Sequence, residues 1–241
     1  MAVWHDVLAK SLLEHSRLDA ADIAALCRLP DTKRSIEPRE DIVRQGDKPE
    51  HSIIVLQGML ARYHTLQGGR RQYLSLHIAG DMPDAQALFL ERMDHSLCAL
   101  DSAVISLVSH AALFKAFEQR PSLGFAIWRE TLVDAAIFRQ AITNNSARLP
   151  RSRLAHFFCE QYYRARRAGL AKSGSCSLPL TQTQIGEALA MSLPSVTRAL
   201  QTLRATGCVD LRSARLHVHK WDRLVKLADF DPHYLHSRKS R

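Results

Sequence analysis

The sequence predicts an α+β chain in three parts: an antiparallel β-rich domain introduced by short helices, one long central helix, and a C-terminal pair of helices closed by a β-hairpin. Three observations carry that expectation. Between residues 35 and 110, short apolar segments are broken by Gly-centred turns every ten to twelve positions. An apolar seam of heptad spacing follows Pro121, and a capped helix-turn-helix pattern with a hairpin fills residues 178–220. With 241 residues, 46% hydrophobic and 24% charged, the chain has material for real cores.

Residues 1–30 read as short helices, with Leu8, Leu12 and Leu13, then Ile23 and Leu26, at helical spacing, and Pro30 as the stop. Residues 31–112 form the β domain, turned at Gly46-Asp47, Gly58, Gly68-Gly69 and Gly80-Asp81. Residues 113–147 supply the central helix and a hinge. Phe125, Trp128, Leu132, Ala135, Arg139 and Ile142 recur at alternating three- and four-residue steps, the seam of a two-helix interface over 122–143. Arg139 is an awkward member of that seam, and the seam alone also suits a helix lying on its own β domain. Asn144-Asn145-Ser146 marks the break. Residues 148–241 open with a helix over about 150–168, burying Leu154, Phe157, Phe158, Gln161 and Tyr162. Its exit, AGLAKSGSCS, has the composition of a mobile loop.

The most informative stretch is LPLTQTQIGEALAMSLPSVTRALQTLRATGCVDLRSARLHVHK. Thr181 is a natural N-cap, and Gln184, three residues on, completes a capping box for a helix from Gln182 to Ala190. Gly186 allows close helix contact, and Met191-Ser192-Leu193 makes the turn. Pro194 falls in the first turn of the next helix, where its missing N–H costs nothing. Val196, Leu200 and Leu203 form that helix's buried stripe and Gly207 caps its end. Cys208–Leu211 and Arg215–Val218 then pair across Arg212-Ser213-Ala214.

A helix, a short turn, a helix and a basic-tipped hairpin make a winged helix-turn-helix, whose second helix enters the DNA major groove. Off the buried stripe, Ser195, Thr197, Arg198 and Gln201 face base edges, and Ser192 is a further DNA-binding residue; Arg can bond guanine and Gln adenine in pairs of hydrogen bonds. Thr181 and Gln182 suit phosphate contact, and Arg212, with Arg215, reaches backbone or minor groove from the wing. Charge agrees. Residues 148–241 hold 17 of the 33 Lys and Arg but 6 of the 24 Asp and Glu, net +11, against −2 for residues 1–147. A basic module beside a near-neutral one is the footprint of a polyanion binder, and double-stranded DNA is the expected partner.

The chain as a whole resembles the CRP/FNR superfamily. IEPREDIVRQGDKPEHSIIVLQGML is similar to that family's β-roll, with Gln45-Gly46-Asp47 and Gly58 at its turns, and TQTQIGEALAMSLPSVTRALQTLRATGCV to its recognition motif; together the likeness spans residues 20–228. The resemblance implies a cyclic-nucleotide-binding-like, cupin-like roll as sensor, a homodimer joined through the central helix, promoter binding at inverted repeats, contact with RNA polymerase, and control by a small-molecule or redox signal.

The chain departs from that pattern at several places. Cyclic-nucleotide members hold the phosphate with a Gly-Glu pair and a later Arg-Ser or Arg-Thr pair; here Asp84-Ala85 and Asp94-His95-Ser96 stand instead. Clustered aspartates repel a phosphate, so cyclic AMP is not the expected effector. The effector pocket falls to His77, Asp81, Asp84, His95, Ser96 and Arg139, its ligand unidentified. An iron–sulfur cluster needs four thiolates, and the five cysteines, Cys27, Cys98, Cys159, Cys176 and Cys208, include one near the N-terminus, so a cluster is not expected either. His77 and His95 could ligate a haem, His217 and His219 share one strand face, and Cys98 and Cys159 could be redox-active; each residue is more often structural, and no metal site is assigned. At the start of the recognition helix Leu193 and Pro194 replace the family's Arg and Glu, while Arg198 keeps its matching position. Enzymatic motifs are missing: there is no nucleophile elbow, Walker loop, HExxH or dinucleotide fingerprint. No apolar run reaches the ~20 residues that span a bilayer, the early acids spoil a signal segment, and unpaired cysteines suit reducing conditions, so the expected location is the cytoplasm without membrane contact. The alternative function is a sensor that acts by protein contact.

Overall fold

The computed structural model describes residues 4–238, which form two compact units. One comprises the chain up to Arg70, Leu74–Ala135 and the segment from His236; the other comprises Arg71–Tyr73 and Ala136–Leu235.

The first unit opens with α1 (Trp4–His15) and α2 (Ala20–Cys27). Asp19 caps α2 by accepting from the Asp22 N–H at 2.8 Å, and the Asp19 N–H donates to Asp22 Oδ2 at 3.0 Å, a capping box. Seven strands follow: β1 (Thr32–Ile36), β2 (Asp41–Val43), β3 (His51–Gln57), β4 (Leu60–Thr65), β5 (Arg71–His77), β6 (Ser96–Ala99) and β7 (Ala103–Ser109). They form two antiparallel sheets of order β1-β7-β3 and β2-β6-β4-β5. Gly58 turns β3 into β4 at φ +83°, and a Cβ there would lie 2.6 Å from the Ser102 carbonyl oxygen, so no other residue fits. Ile36, Ile53, Val55, Leu60, Leu97 and Ile105 fill the space between the sheets. Leu8, Leu12, Leu26, Leu113, Leu123 and Ile127 form a second core over Ile54 and Val108. Leu13, grouped with Leu8 and Leu12 by spacing, points outward instead.

After α3 (His110–Gln119), α4 runs from Pro121 to Ala147. The expected break at Asn144-Asn145-Ser146 is helical. Asn144 is buried and donates to the Arg153 carbonyl at 3.2 Å, Asn145 donates to the Ala188 carbonyl at 3.2 Å, and Ser146 donates to Ile142 O at 2.7 Å. Side chains that otherwise favour turns thus find hydrogen-bond acceptors while the backbone stays helical. The helix ends at Ala147, and Leu149 beyond it is held extended by the proline that follows.

The second unit continues with α5 (Pro150–Ala168), whose Leu154, Phe157, Phe158 and Gln161 are buried as their spacing predicts while Tyr162 is half-buried, and which ends at Gly169 in the left-handed conformation. The segment expected to be a mobile loop contains a strand, β8 (Ser175–Ser177), paired antiparallel with the later strand β10 (Arg215–Val218) through Leu216↔Cys176. After α6 (Gln182–Leu189) and α7 (Leu193–Ala205) come β9 (Val209–Arg212), β10 (Arg215–Val218) and α8 (Trp221–Ala228). The hairpin turns on two residues, Ser213 and Ala214, both at positive φ, as a tight right-twisted hairpin requires. Among the described residues, no helix is long and apolar enough to cross a membrane.

Candidate nucleic-acid interface

The two helices α6 and α7 are set by local chemistry that the sequence makes explicit. The Thr181 N–H donates to Gln184 Oε1 at 2.8 Å and Gln184 N–H to Thr181 Oγ1 at 3.2 Å, closing the capping box. A Cβ on Gly186 would stand 2.5 Å from the Met191 carbonyl oxygen, so the chain passes α6 only because this residue is glycine. The turn sits one residue earlier than its expected place: Ala190 takes the left-handed conformation and Ser192 is the N-cap of α7, accepting from the Ser195 N–H. Leu193 and Pro194 therefore occupy the first turn. Val196, Ala199, Leu200 and Leu203 are buried.

The opposite face of α7 is exposed. Arg198 and Gln201 project from it, with no side-chain partner among the described residues. Thr181 and Ser192 are exposed, and Ser195 is half-buried. Gln182 and Thr197, both expected to face DNA, are half-buried and satisfy each other: Thr197 Oγ1 donates to Gln182 Oε1 at 2.8 Å and to the Leu193 carbonyl at 3.0 Å. Their bond ties the two helices together. At the hairpin, Arg212 is exposed with its Nε 3.6 Å from Asp210, while Arg215 donates to Ser175 Oγ at 3.0 Å. Sequence reasoning missed Leu193, a half-exposed apolar side chain at the first helical position. Its place off the buried stripe was the available signal.

On α4, Phe125, Trp128, Leu132 and Ile142 are 65, 52, 48 and 69% exposed, Ala135 is half-buried and Arg139 exposed. Burying such residues stabilises a helix, and this face of α4 leaves them open. An apolar groove of about 670 Å³ borders it, walled by Phe89, Phe114, Phe117 and Trp128.

Of the residues expected to line an effector pocket, Arg139 stands exposed on α4 rather than among the strands of the roll, and the others are of two kinds. Asp84 and Ser96 are structural: both Asp84 carboxylate oxygens accept from the Ile53 N–H, at 2.9 and 3.1 Å, and Ser96 Oγ accepts from the Gln45 N–H at 3.0 Å. Asp81 likewise accepts from the Ile78 N–H in its own turn. His77 and His95 are buried beside a cation that the sequence reading passed over, Arg62 on β4, which is 3% exposed. Arg62 donates Nε to the Pro83 carbonyl at 2.6 Å, bonds Gln86 Oε1 at 3.3 Å and forms an ion pair with Asp134 of α4. Its signal was an arginine amid the apolar strand residues of LARY. Burial, then the Arg62 charge, pushes His95 down to about 4 and lowers His77, so both rings are neutral near pH 7.

Burial raises Asp84 to about 7 against the opposing Ile53 hydrogen bond. A carboxyl raised in the folded state destabilises progressively as pH climbs from its unfolded value near 4 to about 7. Asp84→Asn keeps an acceptor for Ile53 and cannot ionise. Its unfolding free energy relative to wild type should rise by about 2 kcal/mol between pH 5 and pH 8. Denaturant titrations at both pH values check this, and a pH-independent difference would refute it.

Burial also pushes the Cys159 thiol up to about 12, which keeps it protonated and unreactive. Cys98 is buried as well. The His217 and His219 rings lie parallel, 6.4 Å apart. Among the described residues, no group of three or more His, Cys, Asp or Glu side chains is placed to hold a metal ion.

Comparison with known proteins places these features in a family context. Residues 152–227 match the family model of the Crp-like helix-turn-helix domain, and residues 33–120 that of the cyclic nucleotide-binding domain. The chain is 24% identical over 208 residues to the transcriptional activator protein FnrL of Cereibacter sphaeroides, covering 83% of this chain and 81% of that one. It is 21% identical over 208 residues to the electron transport regulator A of Shewanella oneidensis, covering 86% and 83%. Among solved structures, FixK2 from Bradyrhizobium japonicum shares the fold with a TM-score of 0.74 at 24% identity, over 83% of this chain and 98% of that one.

Proposed function

Because the chain belongs to the CRP/FNR superfamily of DNA-binding transcription regulators, we propose that it works as a cytoplasmic homodimer that reads promoter DNA with α7 and passes a signal from its roll to RNA polymerase. The observation that carries the reading is the outer face of α7, where Arg198 and Gln201 stand exposed on the side opposite the buried stripe. A helix docked by its N-terminal half presents these donors to base edges, and Leu193 offers apolar surface to a thymine methyl. Thr181, Ser192, Ser195 and the wing's Arg212 anchor the phosphates, and Gln182 and Thr197 hold the helix pair rather than the DNA. The dimer rests on the Phe125, Trp128, Leu132, Ala135 and Ile142 seam, with the groove beside it giving the partner further apolar surface. The effector is a small molecule other than cyclic AMP, and no iron–sulfur cluster is involved. His77, His95 and Arg62 form the responsive centre, and Asp81, Asp84 and Ser96 brace it.

Arg198→Ala should cost about 1–3 kcal/mol on a selected operator and little on random DNA, flattening preference at one base pair per half-site. Arg212→Ala should weaken all sequences alike and reduce the salt slope by about one. Both are measured by fluorescence anisotropy across a salt series. Equal losses on operator and random DNA for Arg198→Ala would reduce that residue to a phosphate anchor.

A further inference from the structure

We propose that the first unit carries a second small-molecule site, apart from the roll and the helix-turn-helix, which binds an organic phosphate. The site is a cavity of about 350 Å³ walled by the end of α1, the head of α4 and the C-terminal segment. Its wall includes contacts between residues 14–16 and residues 236–238. The Arg238 N–H donates to the Glu14 carbonyl and Arg238 Nη1 to the Ser16 carbonyl, both at 2.8 Å, across more than two hundred residues, and His15 Nδ1 lies 3.4 Å from the His236 carbonyl.

Three guanidinium groups line this cavity, from Arg17, Arg129 and Arg238, with the His15 ring beside them, and no carboxylate lines it among the described residues. Arg17 and Arg129 are exposed and make no ion pair or side-chain hydrogen bond among the described residues. Two nearby carboxylates are already neutralised: Arg120 pairs with Asp19 and Asp22, both at 2.7 Å, and Ser122 gives its hydroxyl hydrogen to Asp22. The second, independent observation is Ser16. It is 8% exposed and lines the cavity, and its Oγ has no hydrogen-bond partner. A buried hydroxyl without a partner is costly and calls for an acceptor.

Two exposed guanidinium groups without an ion pair among the described residues, Arg17 and Arg129, beside an orphan donor select a multiply charged oxyanion, and the guanidinium fork matches phosphate oxygens in pairs. The volume lies at the small end of the roughly 300–1,000 Å³ of ligand pockets, which leaves room for a compact organic body. Phe125 and Ala126 give that body an apolar wall.

Pyrophosphate is a direct probe, titrated calorimetrically into the full chain. Saturable binding near one equivalent per chain is expected at micromolar concentrations. Arg17→Ala and Arg129→Ala should each weaken it at least tenfold, and Ser16→Ala several-fold, while Arg198→Ala and Arg212→Ala leave it unchanged. Since Arg17 and Arg129 are exposed, their variants retain the fold, which thermal melts verify. No saturable binding at millimolar pyrophosphate overturns the proposal. So does binding lost in the Arg198 or Arg212 variants instead, which would put the anion on the DNA-binding face. If Arg17→Ala and Arg129→Ala lower affinity for DNA without pyrophosphate binding, these arginines contact the nucleic-acid backbone and the site is refuted.

Discussion

Leu132→Glu should convert the dimer to monomers and lower affinity for an inverted-repeat operator on the order of 100-fold. Leu132 is 48% exposed in the single chain, so a glutamate there meets water and leaves the fold of the isolated chain nearly unchanged. In a symmetric pair, the same residue approaches its own copy. Two carboxylates would then be buried together without compensation, a cost of several kcal/mol that the flanking Trp128 and Phe125 contacts do not offset. Operator affinity follows because two half-sites bound by one linked dimer gain a large effective concentration, which separate monomers forfeit. Sedimentation equilibrium and operator titration together give the answer. A variant that remains dimeric at low micromolar concentration would move the interface away from α4.

Asp134→Leu should be the most destabilising change outside the apolar cores, by about 3 kcal/mol. Arg62 is nearly inaccessible to water, and Asp134, at the edge, supplies a carboxylate that compensates its charge. Removing one partner of a buried pair strands the other, which typically costs about 3–5 kcal/mol; Asp134 keeps some solvent contact, so the lower end applies. The Arg62→Met, Asp134→Leu double variant should recover much of the loss, because it removes the stranded charge along with its partner. The pair also joins a roll strand to α4, so the double variant, folded but uncoupled, should bind operator identically with and without cell extract. Denaturant unfolding of the two single variants and the double variant closes the cycle. Additive losses would show that the two side chains do not act as a unit.

Much of the candidate site was legible before any coordinates. The Thr181–Gln184 capping box, Gly186, the Val196–Leu203 stripe and Gly207 are signals within one or two helical turns, and each appears where its spacing puts it. Local rules erred where a side chain found a distant partner. Asn144 and Asn145 read as a break, but Arg153 and Ala188 supply their acceptors. Gln182 and Thr197 each face outward on a helical wheel; only the closeness of α6 and α7 turns them toward each other. The loop around Cys176 has weak strand composition, and it is a strand because β10 offers an unpaired edge.

What the sequence alone determined is therefore what short-range chemistry controls: the order of the elements, the helix caps and turns, the open heptad seam, and the concentration of positive charge after residue 147. Tertiary structure decided the roles of the buried polar groups. Arg62 meets Pro83, Gln86 and Asp134, Asp84 meets the backbone of Ile53, and Arg238 meets Ser16, at separations from about twenty to more than two hundred residues. A charged or hydroxyl side chain has no intrinsic preference for one distant partner over another. Its partner is chosen when the apolar cores close around it and exclude the water that would otherwise satisfy it.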